Sequence, residues 1–231
     1  MIPIRIKICG VTTPAEAVFA AECGAEAVGL NFYSRSPRCL STERATAIVR
    51  ELPPATSAVG VFVDHSVESL RDVAQAVGLH GVQTYDLPPE SDFAPYRSIP
   101  AFRVKSADDL ERIQDYIATA IARGYTPSAI LIDSYIAGEM GGTGHKAPWD
   151  LLAGFDPGLP MILAGGLTPE NVADAIRLVR PWGVDVASGV ESAPGRKDLG
   201  KVRAFVQAVR SVAVEMDGRP NVFSCEKHGP F

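Results

Sequence analysis

Cys9 ends the run Ile4-Arg5-Ile6-Lys7-Ile8, in which apolar and basic residues alternate, and it stands directly before Gly10. Such alternation marks a strand, so the thiol falls at a strand's carboxyl end. A thiol there is either a small buried hydrophobe, the commoner state of a free cysteine, or a reactive group whose thiolate is basic. Gly165 and Gly166 in MILAGGLTPENV, and Ser188 and Gly189 in GVDVASGVESAPG, place small residues between a strand and a helix. Backbone N–H groups at such a junction can face an anion with no side chain intervening, which makes these four residues candidate phosphate contacts. Arg38, beside Pro37 in FYSRSPRC and near Arg35, carries a guanidinium suited to a two-pronged grip on carboxylate or phosphate. Together these residues point to an anionic substrate held at two ends.

A third glycine-rich stretch, SYIAGEMGGTGHKAPW, contains Gly138, Gly141, Gly142 and Gly144. It is not a nucleotide-binding P-loop, because Ala147 follows Lys146 where that motif requires Ser or Thr. A mobile active-site loop hinged on glycines, with Gly142 and Gly144 as loop candidates, is the better-supported reading, with a plain long surface loop as the alternative. The four cysteines, Cys9, Cys23, Cys39 and Cys225, include no C-x-x-C pair, and the four histidines show no metal-ligand spacing. No metal and no cofactor is expected.

These residues need elements to hold them. Strands are expected at Arg5 to Cys9, Ala27 to Phe32, Ser57 to Asp64, Gly81 to Asp86, Ala101 to Lys105, Ala129 to Ser134, Met161 to Gly165 and Gly183 to Ser188. Helical spacing with start signals separates them: Thr13 before Pro14, a Ser/Thr pair at 41 and 42, then SVESLRDVAQAVG, SADDLERIQDYIATAIARG, LTPENVADAIRLV and DLGKVRAFVQAVRSVAVEM. Short helices are expected at ESDFAPY and KAPWDLLAGF. Nearly continuous apolar strands, each followed by a crossover helix, argue for parallel pairing under a helical cover. Eight such units give an α/β fold, a single (β/α)8 TIM barrel, with an open doubly wound sheet as the alternative. One domain is expected over 1–216, with 217–231 an irregular C-terminal tail. In a closed barrel the site lies at the carboxyl ends of the strands. Cys9, Asp64, Asp86, Lys105, Asp133 and Ser188 all have that address.

The 231 residues are 46% hydrophobic and 21% charged, enough to bury a substantial core. A net charge of −5 and a pI near 5.4 give no reason to expect nucleic acid or an anionic membrane as partner. No signal peptide and no apolar run of membrane-spanning length is visible, so a cytoplasmic location is expected.

Taken in order, KICGVT, FYSRSPR, VGVFVD, LIDS with GGTG, LAGGLTPENV and GVDVASGVE closely resemble the phosphoribosylanthranilate isomerases of tryptophan biosynthesis, over roughly residues 4 to 210. The resemblance implies a single (β/α)8 barrel that carries out an Amadori rearrangement without cofactor or metal. It implies Cys9 as general base, Asp133 as general acid, and Arg38 as the contact for the anthranilate carboxylate. It also implies the AGG and SG glycines as phosphate site and Asp185 as a further position near the substrate. The partner would be a small phosphosugar, and the protein a monomer or homodimer.

Two stretches depart from the family pattern. Where V-Q-L-H-G is usual, this chain reads VQTYD, Val82 to Asp86, so that Tyr85 stands in place of the imidazole. Ala147, Pro148 and Trp149 replace the usual F-D-W after GGTG. A diverged isomerase acting on another amino-sugar phosphate, and a non-catalytic phospholigand-binding barrel, are the alternative readings.

Overall fold

The computed structural model describes residues 4–85, 88, 93–134 and 149–215, with side chains through residue 212. Gly138, Gly141, Gly142, Gly144, Asp86 and the expected tail lie outside the described residues. Eight parallel strands close on themselves in sequence order: β1 Arg5–Cys9, β2 Ala27–Asn31, β3 Ser57–Phe62, β4 Gly81–Tyr85, β5 Arg97–Arg103, β6 Ile130–Asp133, β7 Met161–Ala164 and β8 Gly183–Val186. The seam pairs β1 with β8, Arg5 opposite Gly183 through Ile8 opposite Val186. The open doubly wound sheet is thereby excluded.

Helices α1 Pro14–Glu22, α2 Thr42–Glu51, α3 Val67–Val77, α4 Ala107–Ala122, α5 Trp149–Leu152, α6 Val172–Val179 and α7 Leu199–Glu215 follow strands one, two, three, five, six, seven and eight. Their starts are chemically marked. Thr13 accepts a hydrogen bond from Glu16 N, Ser41 from Arg44 N, and Ser66 from Ser69 N, each satisfying an orphan donor of the first turn. Gly78 closes α3 at φ 77°, a left-handed conformation that favours glycine.

Two elements differ from the sequence expectation. The described part of ESDFAPY, residues 93–96, contains no helix. Strand β5 begins at Arg97, four residues before the expected start, because it runs through Pro100 paired opposite Thr84. Proline lacks the ladder donor and normally argues against a central strand, which hides this one in the sequence. After β8, a one-turn 3₁₀ helix at Ser188–Val190 leads into a hairpin absent from the expected elements, β9 Glu191–Ala193 and β10 Arg196–Lys197.

The alternation in β1 takes its meaning from closure. Ile6 and Ile8 face the helical layer in the larger apolar cluster, so Arg5, Lys7 and Cys9 face the barrel interior. That interior is otherwise filled by Ala27, Val59, Ile99, Ala101, Leu131, Ile162 and Ala164, with Tyr85 packed against them. Lys7 is fully buried there. Burying an ammonium is costly unless its donors are met, and Lys7 Nζ donates to Asp185 Oδ1 and to Gln83 Oε1, each at 3.0 Å.

Candidate active site

Cys9, Tyr85, Arg103 and Asp133 end their strands on one rim, while Lys7, Gln83 and Asp185 lie one inward-facing position deeper. A methyl group built on Gly29 of β2 would stand 2.7 Å from Cys9 Sγ and 3.1 Å from Lys7 Nζ, so the thiol and the ammonium crowd the same point. Burial pushes the Cys9 thiol up; the Lys7 and Lys197 cations pull it down without overcoming burial. Burial works against the Lys7 charge as well, but the Asp185 carboxylate and the Cys9 thiolate hold its pKa above the ordinary value. The ammonium therefore stays charged beside the sulfur.

Asp133 is half-buried at the end of β6, with Arg103 of β5 opposite it in register. Burial pushes the Tyr85 phenol strongly up, and the negative charges of Asp133, Cys9 and Asp185 add to the effect. Gln83 Nε2 donates to the Tyr85 hydroxyl at 3.3 Å, and the Arg103 guanidinium lies over the Tyr85 ring at 5.3 Å.

Arg38 is placed differently from a free anion grip. Its Nε and Nη2 both donate to the Glu191 carboxylate at 2.7 Å, a two-pronged pair, and Lys197 Nζ donates to the same carboxylate at 3.0 Å and to Ala187 O at 3.0 Å. Burial raises the Glu191 carboxyl, but the Arg38 and Lys197 hydrogen bonds outweigh it and hold the group below its usual range. One edge of the Arg38 fork is thus occupied, leaving Nη1 and the second Nη2 proton for a ligand. Asp185, placed near the substrate by resemblance, is 7% exposed and committed to Lys7.

The two glycine loops converge. Gly189 lies so close to Leu167 O that no Cβ would fit, so its lack of a side chain is already required by loop packing. Gly165 and Gly166 have φ of 91° and 64°, and a Cβ on Gly166 would meet open space. Ser188 is exposed at the start of the 3₁₀ turn. Asn171, ahead of α6, donates from Nδ2 to Gly166 O at 2.9 Å and accepts from Thr168 N, fixing the first loop's path.

Sequence reasoning assigned no role to Lys197, Glu191, Gln83 or Tyr85. Pro194-Gly195, a turn signal, was the local mark of the hairpin that carries Glu191 and Lys197. Gln83 shares a strand face with Tyr85 by spacing alone. Cys23 and Cys39 are half-buried outside the strands. Among the described residues no His, Cys, Asp and Glu side chains gather into a group able to hold a metal, and no helix is long and apolar enough to cross a membrane.

A family model described as N-(5'-phosphoribosyl)anthranilate (PRA) isomerase matches residues 6–208. The N-(5'-phosphoribosyl)anthranilate isomerase of Myxococcus xanthus is 44% identical over 212 residues, covering 90% of this chain and 97% of that protein. The protein of the same name from Pseudomonas paraeruginosa is 46% identical, covering 90% and 96%. The crystal structure of phosphoribosyl anthranilate isomerase from Thermotoga maritima superposes with a TM-score of 0.80 at 38% identity, over 90% of this chain and 99% of that one. A structure of such an isomerase in complex with reduced 1-(o-carboxyphenylamino)-1-deoxyribulose 5-phosphate gives a TM-score of 0.78 at 37% identity, over 90% and 99%.

Proposed function

The chain belongs to the N-(5'-phosphoribosyl)anthranilate isomerase family, and on that footing we propose that it converts N-(5-phosphoribosyl)anthranilate to 1-(2-carboxyphenylamino)-1-deoxyribulose 5-phosphate in tryptophan biosynthesis. The observation that carries this reading is the rim itself: a thiol beside a buried ammonium at the end of β1, and a carboxyl at the end of β6.

Asp133 acts as general acid. It protonates the ribose ring oxygen, the C1–O bond breaks, and the anilinic nitrogen's lone pair forms a protonated Schiff base. The positive nitrogen acidifies the hydrogen on C2. Cys9, as thiolate, removes that proton; the C2–H electrons form the C1–C2 double bond and the C=N pair returns to nitrogen. The resulting enolamine becomes the ketone as C1 gains a proton and the C2 hydroxyl loses one. Lys7 favours the thiolate by its charge. The Schiff-base cation adds to that pull once formed, so the ligand-free thiol can be high and still serve as base.

Arg38, steadied by Glu191, faces the anthranilate carboxylate with its unoccupied edge. Gly165, Gly166, Ser188 and Gly189 offer backbone amides to the phosphate. Asp185 acts by holding Lys7 in place.

The test is direct. Purified protein given freshly made phosphoribosylanthranilate should extinguish the anthranilate-type fluorescence, and Cys9→Ala and Asp133→Asn should each lower kcat by at least about 100-fold, the scale of a lost general base or acid. Undiminished turnover in either variant refutes its assigned role. A wild-type protein that binds the substrate without turnover refutes the activity.

A further inference from the structure

Lys7, Gln83 and Tyr85 form a hydrogen-bonded chain whose direction is fixed by chemistry. An ammonium only donates, so the Gln83 atom facing Lys7 Nζ at 3.0 Å is the carbonyl Oε1. The other end of that amide is then the NH₂ group, which donates to the Tyr85 hydroxyl oxygen at 3.3 Å. A phenol oxygen that accepts from Gln83 has its own proton free for another acceptor, and Asp133 and Cys9 are near enough for their charges to act on the phenol. Its acceptance from Gln83, itself polarised by a buried cation, makes it a stronger donor. Burial keeps the phenol neutral, and its ring is held against the apolar barrel interior and beneath the Arg103 guanidinium.

We propose that Tyr85 is a third catalytic group, whose hydroxyl donates a hydrogen bond to the oxygen on C2 of the opened sugar, the atom that becomes the product's carbonyl. The inference rests on the reaction proposed above. Cys9 works on C2 and Asp133 on the ring oxygen attached to C1, so a donor within reach of the charges of both is near the C1–C2 portion of the substrate. There the C2 oxygen stays neutral while the C2–H electrons pass to nitrogen, and it gains negative charge in the following step, as its own proton departs and C1 is protonated. Tyr85 keeps its proton throughout; it contributes a fixed dipole where negative charge develops. A histidine at this position would present a shorter donor that can also gain charge. The phenol, which stays neutral, gives this chain a donor that does not titrate over the working range.

The experiment compares wild type, Tyr85→Phe and Cys9→Ala on phosphoribosylanthranilate. Tyr85→Phe keeps the ring and its Arg103 contact, and should lower kcat by about 10- to 100-fold with KM changed less than about threefold, as expected for a donor used mainly in the transition state. Its unfolding midpoint serves as the control for folding. To separate donation from packing, fluorinated tyrosines of rising acidity placed at residue 85 should raise kcat progressively above that of Tyr85→Phe. An unchanged kcat in Tyr85→Phe, or a KM rise alone, overturns the proposal while Cys9→Ala still reports on the reaction. A slowed Tyr85→Phe whose fluorotyrosine series is flat overturns it as well. An inert wild type removes the reaction and this inference together.

Discussion

At the scale of single residues, the buried ammonium is the feature that makes Cys9 usable. A thiol in an apolar barrel holds its proton, because burial disfavours the charged form. Here burial leaves the thiol above its ordinary value even with Lys7 and Lys197 present. Thiolate is then the minor form at neutral pH, so kcat/KM, which reports the free enzyme, should climb as pH rises from neutrality. Replacing Lys7 by Met together with Asp185 by Asn removes the cation without stranding its carboxylate, and should shift that limb to higher pH. Stopped-flow fluorescence across the alkaline range reads both. The single change Lys7→Met should destabilise more than the double one, since it leaves Asp185 buried and unpaired, a loss of about 3–5 kcal/mol. Glu191 gives a second, opposite dependence. Its folded pKa lies below the ordinary glutamate value, so its pairing stabilises the fold above that ordinary value and is lost as pH falls through the depressed one. Glu191→Gln should flatten the acid limb of stability in denaturant titrations, and should raise KM by freeing Arg38 from its fixed angle.

At the scale of elements, the hairpin β9–β10 ties together the loops that follow β1 and β2. Thr12 Oγ1 donates to Gly195 O at 2.9 Å, and Lys197 N donates to Glu16 Oε1 at 2.8 Å, which fastens the hairpin to the loop after β1 and the start of α1. Gly195 sits at φ 78°, and a methyl group there would approach Pro37 O at 2.7 Å, one residue before Arg38. Gly195→Ala should therefore cost about 1–3 kcal/mol in backbone strain and raise KM more than it lowers kcat. Steady-state kinetics beside a thermal melt separates the two effects. The hairpin was hard to see beforehand because its strands are two and three residues long, too short for alternation to register. Strand β5 was partly hidden for a different reason, the proline within it. By contrast α1, α2 and α3 were legible from their caps, since each cap is a local exchange between a side chain and its own first turn.

At the scale of the whole molecule, closure requires the last helix to meet the first strand. Arg210 of α7 donates to Ile4 O and Gly24 O, each at 2.8 Å, and to Glu26 Oε1 at 2.7 Å, while Glu26 Oε2 accepts from Ile6 N at 2.8 Å. Arg210→Ala leaves two backbone carbonyls and a carboxylate without this donor, and should lower stability by about 2–4 kcal/mol, read as a reduced denaturant midpoint with an unchanged slope. The residue types, the strand and helix alternation and the order of the motifs were set along the chain, because strand periodicity, caps and glycine turns depend on near neighbours. Eight repeats of strand and helix implied a barrel, and Cys9 and Asp133 were addressable as strand ends. What only the tertiary structure decided was which groups meet. Lys7 contacts partners 76 and 178 positions away, and Arg38 contacts one 153 positions away. Lys7's neighbours are chosen by the register and closure of the barrel, and Arg38's by the loops that closure brings to one rim; no window of the sequence contains either.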